Sequence, residues 1–385
     1  MKILRIIRQY FPAKLIGPTR QAFILTKMLS TRGIESIVYT TTSGIKGSCP
    51  LIEQQERITI KRFKPLFERG HFTFTPHMLF NLLQEDADII HIHGYRNFQS
   101  EIGAIASLIK KTPLVLTTHG TLRAHERIFG HNYYLQIYDT LTIKFCLKRA
   151  CVVVVTCDEE YYDALGMGIP ANKIQIIPPG VELPPSGLRV PKNKKKILTV
   201  SRIAKQRNLE LLLRVFKKVV DVMPDVKLVI VGDAIPSSYV REDLNYLNNI
   251  MKLIGLYRLK KNVEFKGWLQ GEELWKEYLE AGLFIWTSIY DNFGQALVEA
   301  AMTGTPIVST PVGIAPKLVG ENKGGILVAH NDVNGMKKAV FRLLTDHIFY
   351  EKASNYLIRK SKEFTADAMV SKYEQIYYRA INNIR

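Results

Sequence analysis

Short β-branched runs alternate with helical patterns along the whole chain. KILRII (2–7) reads as a strand, and Pro18 opens a helix through TRQAFILTKMLSTR that Gly33 closes before the strand SIVYTT. ADIIHIH (87–93), PLVLTTH (113–119), CVVVVT (151–156) and KIQIIP (173–178) read as further strands. Such alternation predicts βαβ units and a parallel sheet covered on both faces.

The pattern breaks at LPPSGLRVPKNKKK (183–196), where prolines and a run of lysines carry no apolar period. That composition predicts a linker or hinge over 184–196. The alternation then restarts, with strands at KILTVS, VKLVIVG, VEFKG, LFIWTS and PIVST and helices at NLELLLRVFKKVVDVM and LWKEYLEAG. The expected architecture is α/β, with two doubly wound Rossmann-like domains at 1–183 and 197–365. The last helical pattern, DAMVSKYEQIYYRAINN, has apolar and aromatic residues at helical spacing and so must dock on something.

One helix is out of character. In YDNFGQALVEAAMTGTPIVST, Glu299 stands among Ala296, Leu297, Val298, Ala300, Ala301 and Met302. A helix this apolar is expected to be buried all round, and a buried carboxylate needs a partner. A second carboxylate, Asp291, precedes an Asn-Phe-Gly turn. Asn292 or the turn after it is expected to cap this helix, and Gly304 followed by Pro306 to end it.

Composition narrows the function. The chain has 385 residues, 46% of them hydrophobic and 23% charged, as in ordinary globular proteins. The formal charge of +18 is unusual. It is spread over both halves and points to an anionic partner. The four cysteines lack paired zinc-type spacing, and Cys146, Cys151 and Cys157 lie at or near the apolar run CVVVVTC, so a reducing, cytoplasmic setting is expected. No stretch is apolar enough to span a bilayer, and the start, MKILRIIRQYF, is too short and too interrupted by Arg for a signal peptide.

Candidate chemistry falls in loops after strands, where ligands bind in open α/β sheets. FPAKLIGPTRQ places Gly17 before Pro18, a helix start open to phosphate. HIHG (91–94) and TTHG (117–120) each end a strand with His-Gly, and His119 follows the longer apolar run. SRIAKQRN brings Arg202, Lys205 and Arg207 to a helix start, where cations oppose the dipole unless an anion sits among them. Asp291, Glu299 and the free N–H groups of the Phe293-Gly294 region complete the set. Carboxylates suit vicinal diols, whereas amides and arginines suit phosphates. A sugar nucleotide satisfies all of them.

Together these motifs resemble the retaining glycosyltransferases of family 4 (group 1), which have the GT-B fold. D-x7-E in YDNFGQALVEAAMTGTPIVST resembles the family's E-x7-E signature. FPAKLIGPTRQ resembles its FPP-x-x-GGP loop, and DIIHIHG and LTTHG resemble its amino-domain strand ends. VSRIAKQRN resembles VGRL-x-x-x-KG, LVIVGDA resembles LVIVGDG, and VEFKGWLQGEEL resembles V-x-F-x-G. The likeness runs over nearly the whole chain, in order.

The resemblance implies two domains facing across a cleft, with the final helix (366–385) crossing back onto the amino-terminal domain. The donor would be a nucleoside diphosphate sugar, held mainly by the carboxyl-terminal domain. Arg202 and Arg207 would bind its pyrophosphate, Glu299 its ribose hydroxyls, and Asp291 its sugar hydroxyls with the Asn292, Phe293 and Gly294 turn. Gly17 would approach the phosphates and His119 the sugar. No metal or other cofactor is implied, because cations and helix termini take over charge neutralisation.

The chain departs from the family pattern in five places: Asp291 replaces a Glu, Arg207 a Lys, Asn208 a Gly, Ile16 a Gly, and Ala234 the last Gly of GDG. These leave open a sugar-nucleotide epimerase or a non-catalytic sugar-nucleotide-binding protein. The acceptor is expected to be a sugar or a lipid-linked, membrane-proximal glycan. Arg57, Lys61, Arg62, Lys64 and Arg69 interleave with Phe63, Phe67, Phe72 and Phe74, which suits an anionic membrane surface and peripheral docking. No nucleic-acid-binding module is evident.

Overall fold

The structure, a computed structural model, describes residues 1–13, 17–45, 47–69, 72–120, 122, 144–234 and 242–382. Ile16 therefore lies outside the described residues. The chain divides into two compact units, Met1–Gly180 with Ala366–Arg385, and Val181–Thr365.

The first unit is built on an eight-stranded sheet. Its strands are β1 (Lys2–Ile7), β2 (Glu35–Thr41), β3 (Ile52–Gln55), β4 (Ile58–Phe63), β7 (Ile89–His93), β8 (Leu114–Thr117), β9 (Val152–Val155) and β10 (Ile174–Ile176). They lie in the order β10-β9-β8-β7-β1-β2-β4-β3, parallel except for β3 against β4. Alternate residues feed opposite faces. Leu4, Ile6, Ile90, Ile92, Leu116 and Val153 pack on one side, and Ile3, Ile89, Val115 and Val154 on the other. Burial on both faces explains why these strands read as unbroken apolar runs. The helix Ala366–Asn382 belongs to this unit, where Met369, Val370, Tyr373, Ile376 and Tyr377 cover the second face. A short antiparallel pair, β5 (Phe67–Arg69) and β6 (Phe72–Phe74), stands apart from the main sheet.

The second unit holds six parallel strands. They are β11 (Asn193–Val200), β12 (Lys227–Val231), β13 (Val263–Gly267), β14 (Ala281–Trp286), β15 (Ile307–Ser309) and β16 (Gly325–Leu327). Their order, β13-β12-β11-β14-β15-β16, is the 3-2-1-4-5-6 arrangement of a doubly wound sheet. Its direction of winding reverses between β11 and β14, so the loops leaving those two strands flank the switch point. Ile197, Leu228, Ile230, Leu283 and Ile285 build one core against Leu212 and Phe216. Leu198, Val229, Phe284 and Trp286 build the other against Tyr278, Leu297 and Val298.

Two expectations are corrected here. The hinge expected at 184–196 does not extend that far, because Asn193–Lys196 already form the first half of β11. Lysine stems tolerate a strand when their heads reach partners: Lys195 pairs with Asp225, and Lys196 with Glu277 and Glu280. The boundary between units falls at Gly180/Val181, before the proline-rich stretch, and residues 181–192 count with the second unit. The helix expected over LWKEYLEAG stops at Glu280, and Ala281-Gly282 open β14.

Candidate functional site

In the second unit the site is built from the loops after β11 and β14. The first runs from Ser201 through a single 3-10 turn, Lys205–Arg207, into the helix Leu209–Val220. Asn208 joins them in the left-handed conformation (φ 49°, ψ 51°), and its Oδ1 accepts from Leu211 N at 3.3 Å. Asparagine tolerates that conformation and caps as well. The departure from glycine at this position therefore costs the backbone little.

The two loops are stitched together. Ile289 N donates to Gln206 O at 2.8 Å, and Thr287 Oγ1 to Arg207 O at 2.9 Å. The guanidinium of Arg207 lies over the Trp286 ring, 5.0 Å from its centroid. Its Nη1 donates to Ser288 Oγ at 3.2 Å and forms an ion pair with Asp291 Oδ2. Asp291 is thus the anion that the cation-rich helix start required. Arg202 follows directly on β11 and is half-buried.

The helix expected after Asp291 spans Gln295–Met302. Its N-cap is Gly294 rather than Asn292. Gly294 sits at φ 89°, where a Cβ would stand 2.9 Å from Leu297 Cδ1. The side chain of Asn292 does not cap: its Oδ1 is buried with no hydrogen-bond partner among the described residues. Nor is the Phe293 amide open to a ligand, because it donates to Asp291 Oδ1 at 3.2 Å. Asp291 folds back on its own turn, so turn geometry displaced the cap to the glycine.

Glu299, one turn into this helix, is 4% exposed. Its Oε2 accepts from the Tyr278 hydroxyl at 2.7 Å. Tyr278 is itself anchored, because its carbonyl oxygen accepts from Lys192 Nζ and Thr305 Oγ1, both at 3.1 Å. Burial brings the Lys192 ammonium down to about 7. The partner that Glu299 demanded is therefore a phenol on the helix Gly271–Glu280, a residue that no motif singled out.

The first unit holds the other candidates. Gly17 is the N-cap of the helix Pro18–Thr31 at φ 53°, ψ −124°, a conformation open only to glycine, and a Cβ there would meet nothing within 4 Å. His119, just past β8, is also left-handed (φ 56°) and half-buried. Its Nε2 lies 3.0 Å from Nδ1 of His93, at the end of β7, with the rings stacked. His93 in turn packs against His91, their ring centroids 4.0 Å apart and the planes tilted by 38°. Desolvation pushes His119 down to about 3. It lowers His91 and His93 as well, with the Arg5 charge adding to it at His91.

Among the described residues, no group of three or more His, Cys, Asp or Glu side chains is placed to hold a metal ion. No helix among them is long and apolar enough to cross a membrane.

Two Rossmann-like units carrying these sites define a glycosyltransferase of the GT-B class. Family models match almost end to end: Glycosyltransferase Family 4 over residues 17–183, and Glycosyl transferases group 1 over residues 185–363. The chain belongs to that family of group 1 glycosyltransferases. Similar proteins include an uncharacterized glycosyltransferase of Methanocaldococcus jannaschii, 25% identical over 94% of this chain and 93% of the relative. A D-inositol 3-phosphate glycosyltransferase of Corynebacterium aurimucosum is 25% identical over 82% of this chain and 76% of its own. Among solved structures, Anabaena HepE in complex with UDP-glucose superposes with a TM-score of 0.74 at 18% identity, covering 98% of this chain and all of that one.

Proposed function

We propose that this glycosyltransferase is a retaining, metal-independent enzyme that moves a sugar from a nucleoside diphosphate sugar to an acceptor. The observation that carries the reading is the meeting of Arg207 and Asp291 from the two loops flanking the switch point of the second sheet. A forked cation there suits a diphosphate leaving group, and supplies charge that a metal ion provides in other transferases. Arg202 shares that role. Glu299, held in place by Tyr278, takes ribose hydroxyls, and Asp291 with the Asn292–Gly294 turn takes those of the donor sugar. Buried Asn292 Oδ1 is an acceptor still lacking a donor, which a sugar hydroxyl supplies. In the first unit, Gly17 and His119 contact the substrate. The relative solved with UDP-glucose supports this class of donor.

The test is a thermal-shift screen against UDP, GDP, ADP and their sugars with a chelator present. Ligand at about 100 times its Kd adds about 2.7 kcal/mol of stability. A shift with one nucleotide series, followed by an α-linked product from an α-donor, supports the reading. An epimerised donor overturns transfer, and no shift with any nucleotide overturns the donor site.

For the acceptor, the reading is a lipid-linked or membrane-proximal glycan approached from an anionic membrane surface. The β5–β6 pair exposes Leu66 (70%), Phe67 (53%) and Phe72 (42%), with Lys64 and Arg69 also exposed. Phe74 and Phe98, 4.7 Å apart, fix the base of this hairpin. Exposed apolar side chains among cations, on a chain of net charge +18, complement anionic headgroups.

A further inference from the structure

A buried polar chain under the first sheet allows its protons to be assigned. The guanidinium of Arg5 can only donate. Its Nη1 lies 2.9 Å from His91 Nδ1, so that nitrogen is an acceptor and the proton of His91 sits on Nε2. His91 Nε2 then donates to Thr117 Oγ1 at 2.8 Å. Tyr377, accepting from Arg5 at 3.1 Å, donates to the same His91 Nδ1 at 2.7 Å. The His91 tautomer is thereby fixed, although Arg5 Nε and Nη2 are themselves buried with no hydrogen-bond partner among the described residues.

The next pair is His93 and His119, with Nδ1 of the first 3.0 Å from Nε2 of the second. Both rings are neutral, and one of the two facing nitrogens carries a proton. The other nitrogen of His93, Nε2, is buried with no hydrogen-bond partner among the described residues. With its proton on Nε2, His93 would bury an N–H that has no acceptor, the rarer and worse of the two possible defects. With its proton on Nδ1, it buries only a lone pair and donates to His119 Nε2. That nitrogen of His119 is then an acceptor, and the proton of His119 must sit on Nδ1.

We propose that His93 is a positioning residue that holds His119 as its Nδ1–H tautomer, so that the half-buried His119 ring offers the substrate a hydrogen-bond donor. The backbone supports this. His119 follows Thr118, whose N and Oγ1 both donate to Val154 O, at 3.0 and 3.1 Å, so the left-handed corner cannot swing. A ring with Nε2 occupied by His93 and Nδ1 already protonated does not serve as a base. It binds an acceptor oxygen: a sugar hydroxyl lone pair, a ring oxygen or a phosphoryl oxygen. Only the substrate contact rests on the glycosyltransferase reading of His119; the tautomer does not.

The experiment is long-range 1H–15N correlation of protein labelled with 15N-histidine, the His119 signals being assigned by their loss in His119→Gln. The expected spectrum shows a protonated Nδ1 and a bare Nε2 for His119 in the wild-type protein. His93→Asn, whose amide nitrogen stands near the place of Nδ1 and can donate, keeps that tautomer. His93→Leu lets His119 redistribute between its two forms and lowers kcat/KM roughly tenfold, the effect of one hydrogen bond, while Asn restores most of it. A wild-type His119 protonated on Nε2 overturns the proposal even if neither variant folds. So does a folded Leu variant with the tautomer unchanged. If no donor supports transfer, the spectra still decide the tautomer, and only the substrate contact is lost.

Discussion

Arg207 and Asp291, 84 positions apart, are bound to each other through Nη1 and Oδ2, with the Arg207 guanidinium lying on the face of Trp286. Each holds the other in a half-buried mouth, so the two act as a unit. Arg207→Ala is expected to lower turnover about 10²-fold by removing charge from the departing diphosphate. Asp291→Ala frees the guanidinium and, on the proposed reading, is expected to remove a sugar contact. In steady-state kinetics, the double variant should lose much less than the product of the two single losses. Strictly multiplicative losses would show that the pair is not a functional unit, and an unaffected rate in Arg207→Ala would remove it from the site.

Glu299 depends on Tyr278 in a different way. Tyr278→Phe leaves a buried carboxylate oxygen short of its 2.7 Å donor, and should destabilise the second unit by about 1–3 kcal/mol in urea titrations. Glu299→Ala should weaken donor binding in calorimetry. Wild-type affinity in that variant would sink the ribose assignment.

The desolvated histidines of the first unit set an acid limit on stability. His91, His93 and His119 all hold their pKa below the ordinary value of about 6.5, His119 at about 3. Unfolded chains take up these protons near pH 6.5, and the folded unit refuses them. Stability is therefore fully present above pH 6.5 and falls as the pH drops from there toward 3. At pH 5 the loss is up to about 2 kcal/mol for each histidine kept neutral. Urea midpoints at pH 7.5 and 5 should show the fall, and His119→Asn should show a smaller one. Equal falls in both proteins would mean that His119 takes its proton in the folded state.

The exposed side chains of Leu66 and Phe67, at the start of β5, predict a separable defect. Leu66→Ser with Phe67→Ser should lower binding to anionic vesicles more than tenfold, because burying either side chain is worth about 1.5–3 kcal/mol. Melting and donor binding should be unchanged, since both residues lie on the surface. Equal sedimentation of the variant and the wild type with those vesicles would exclude this face as the contact.

Much of the fold was legible in the sequence. Strands buried on both faces must be apolar throughout, and CVVVVT and KLVIV announce themselves by that rule. The cation-rich loop at Arg202–Arg207 and the carboxylates at Asp291 and Glu299 stood out because each broke a local rule, a helix start full of cations and an acid in an apolar helix. Other features had no such mark. Tyr278 looks like any aromatic on an amphipathic helix, and His93 shares its His-Gly ending with His119. A lysine run resembles a linker in sequence, so the pattern extends the hinge to Lys196, whereas carboxylates 30 or more positions away draw Asn193–Lys196 into β11.

The sequence by itself determined the elements, their alternation and the residue types in the switch-point loops, because periodicity and local turn chemistry act over a few neighbouring residues. Tertiary structure decided the partnerships: Arg207 with Asp291, Glu299 with Tyr278, His93 with His119. It also decided between Asn292 and the turn after it as the helix cap, in favour of Gly294. Hydrogen bonds and ion pairs form between atoms brought within about 3 Å by the packing of separate strands, and that closeness is a property of the sheet order, which no local pattern records.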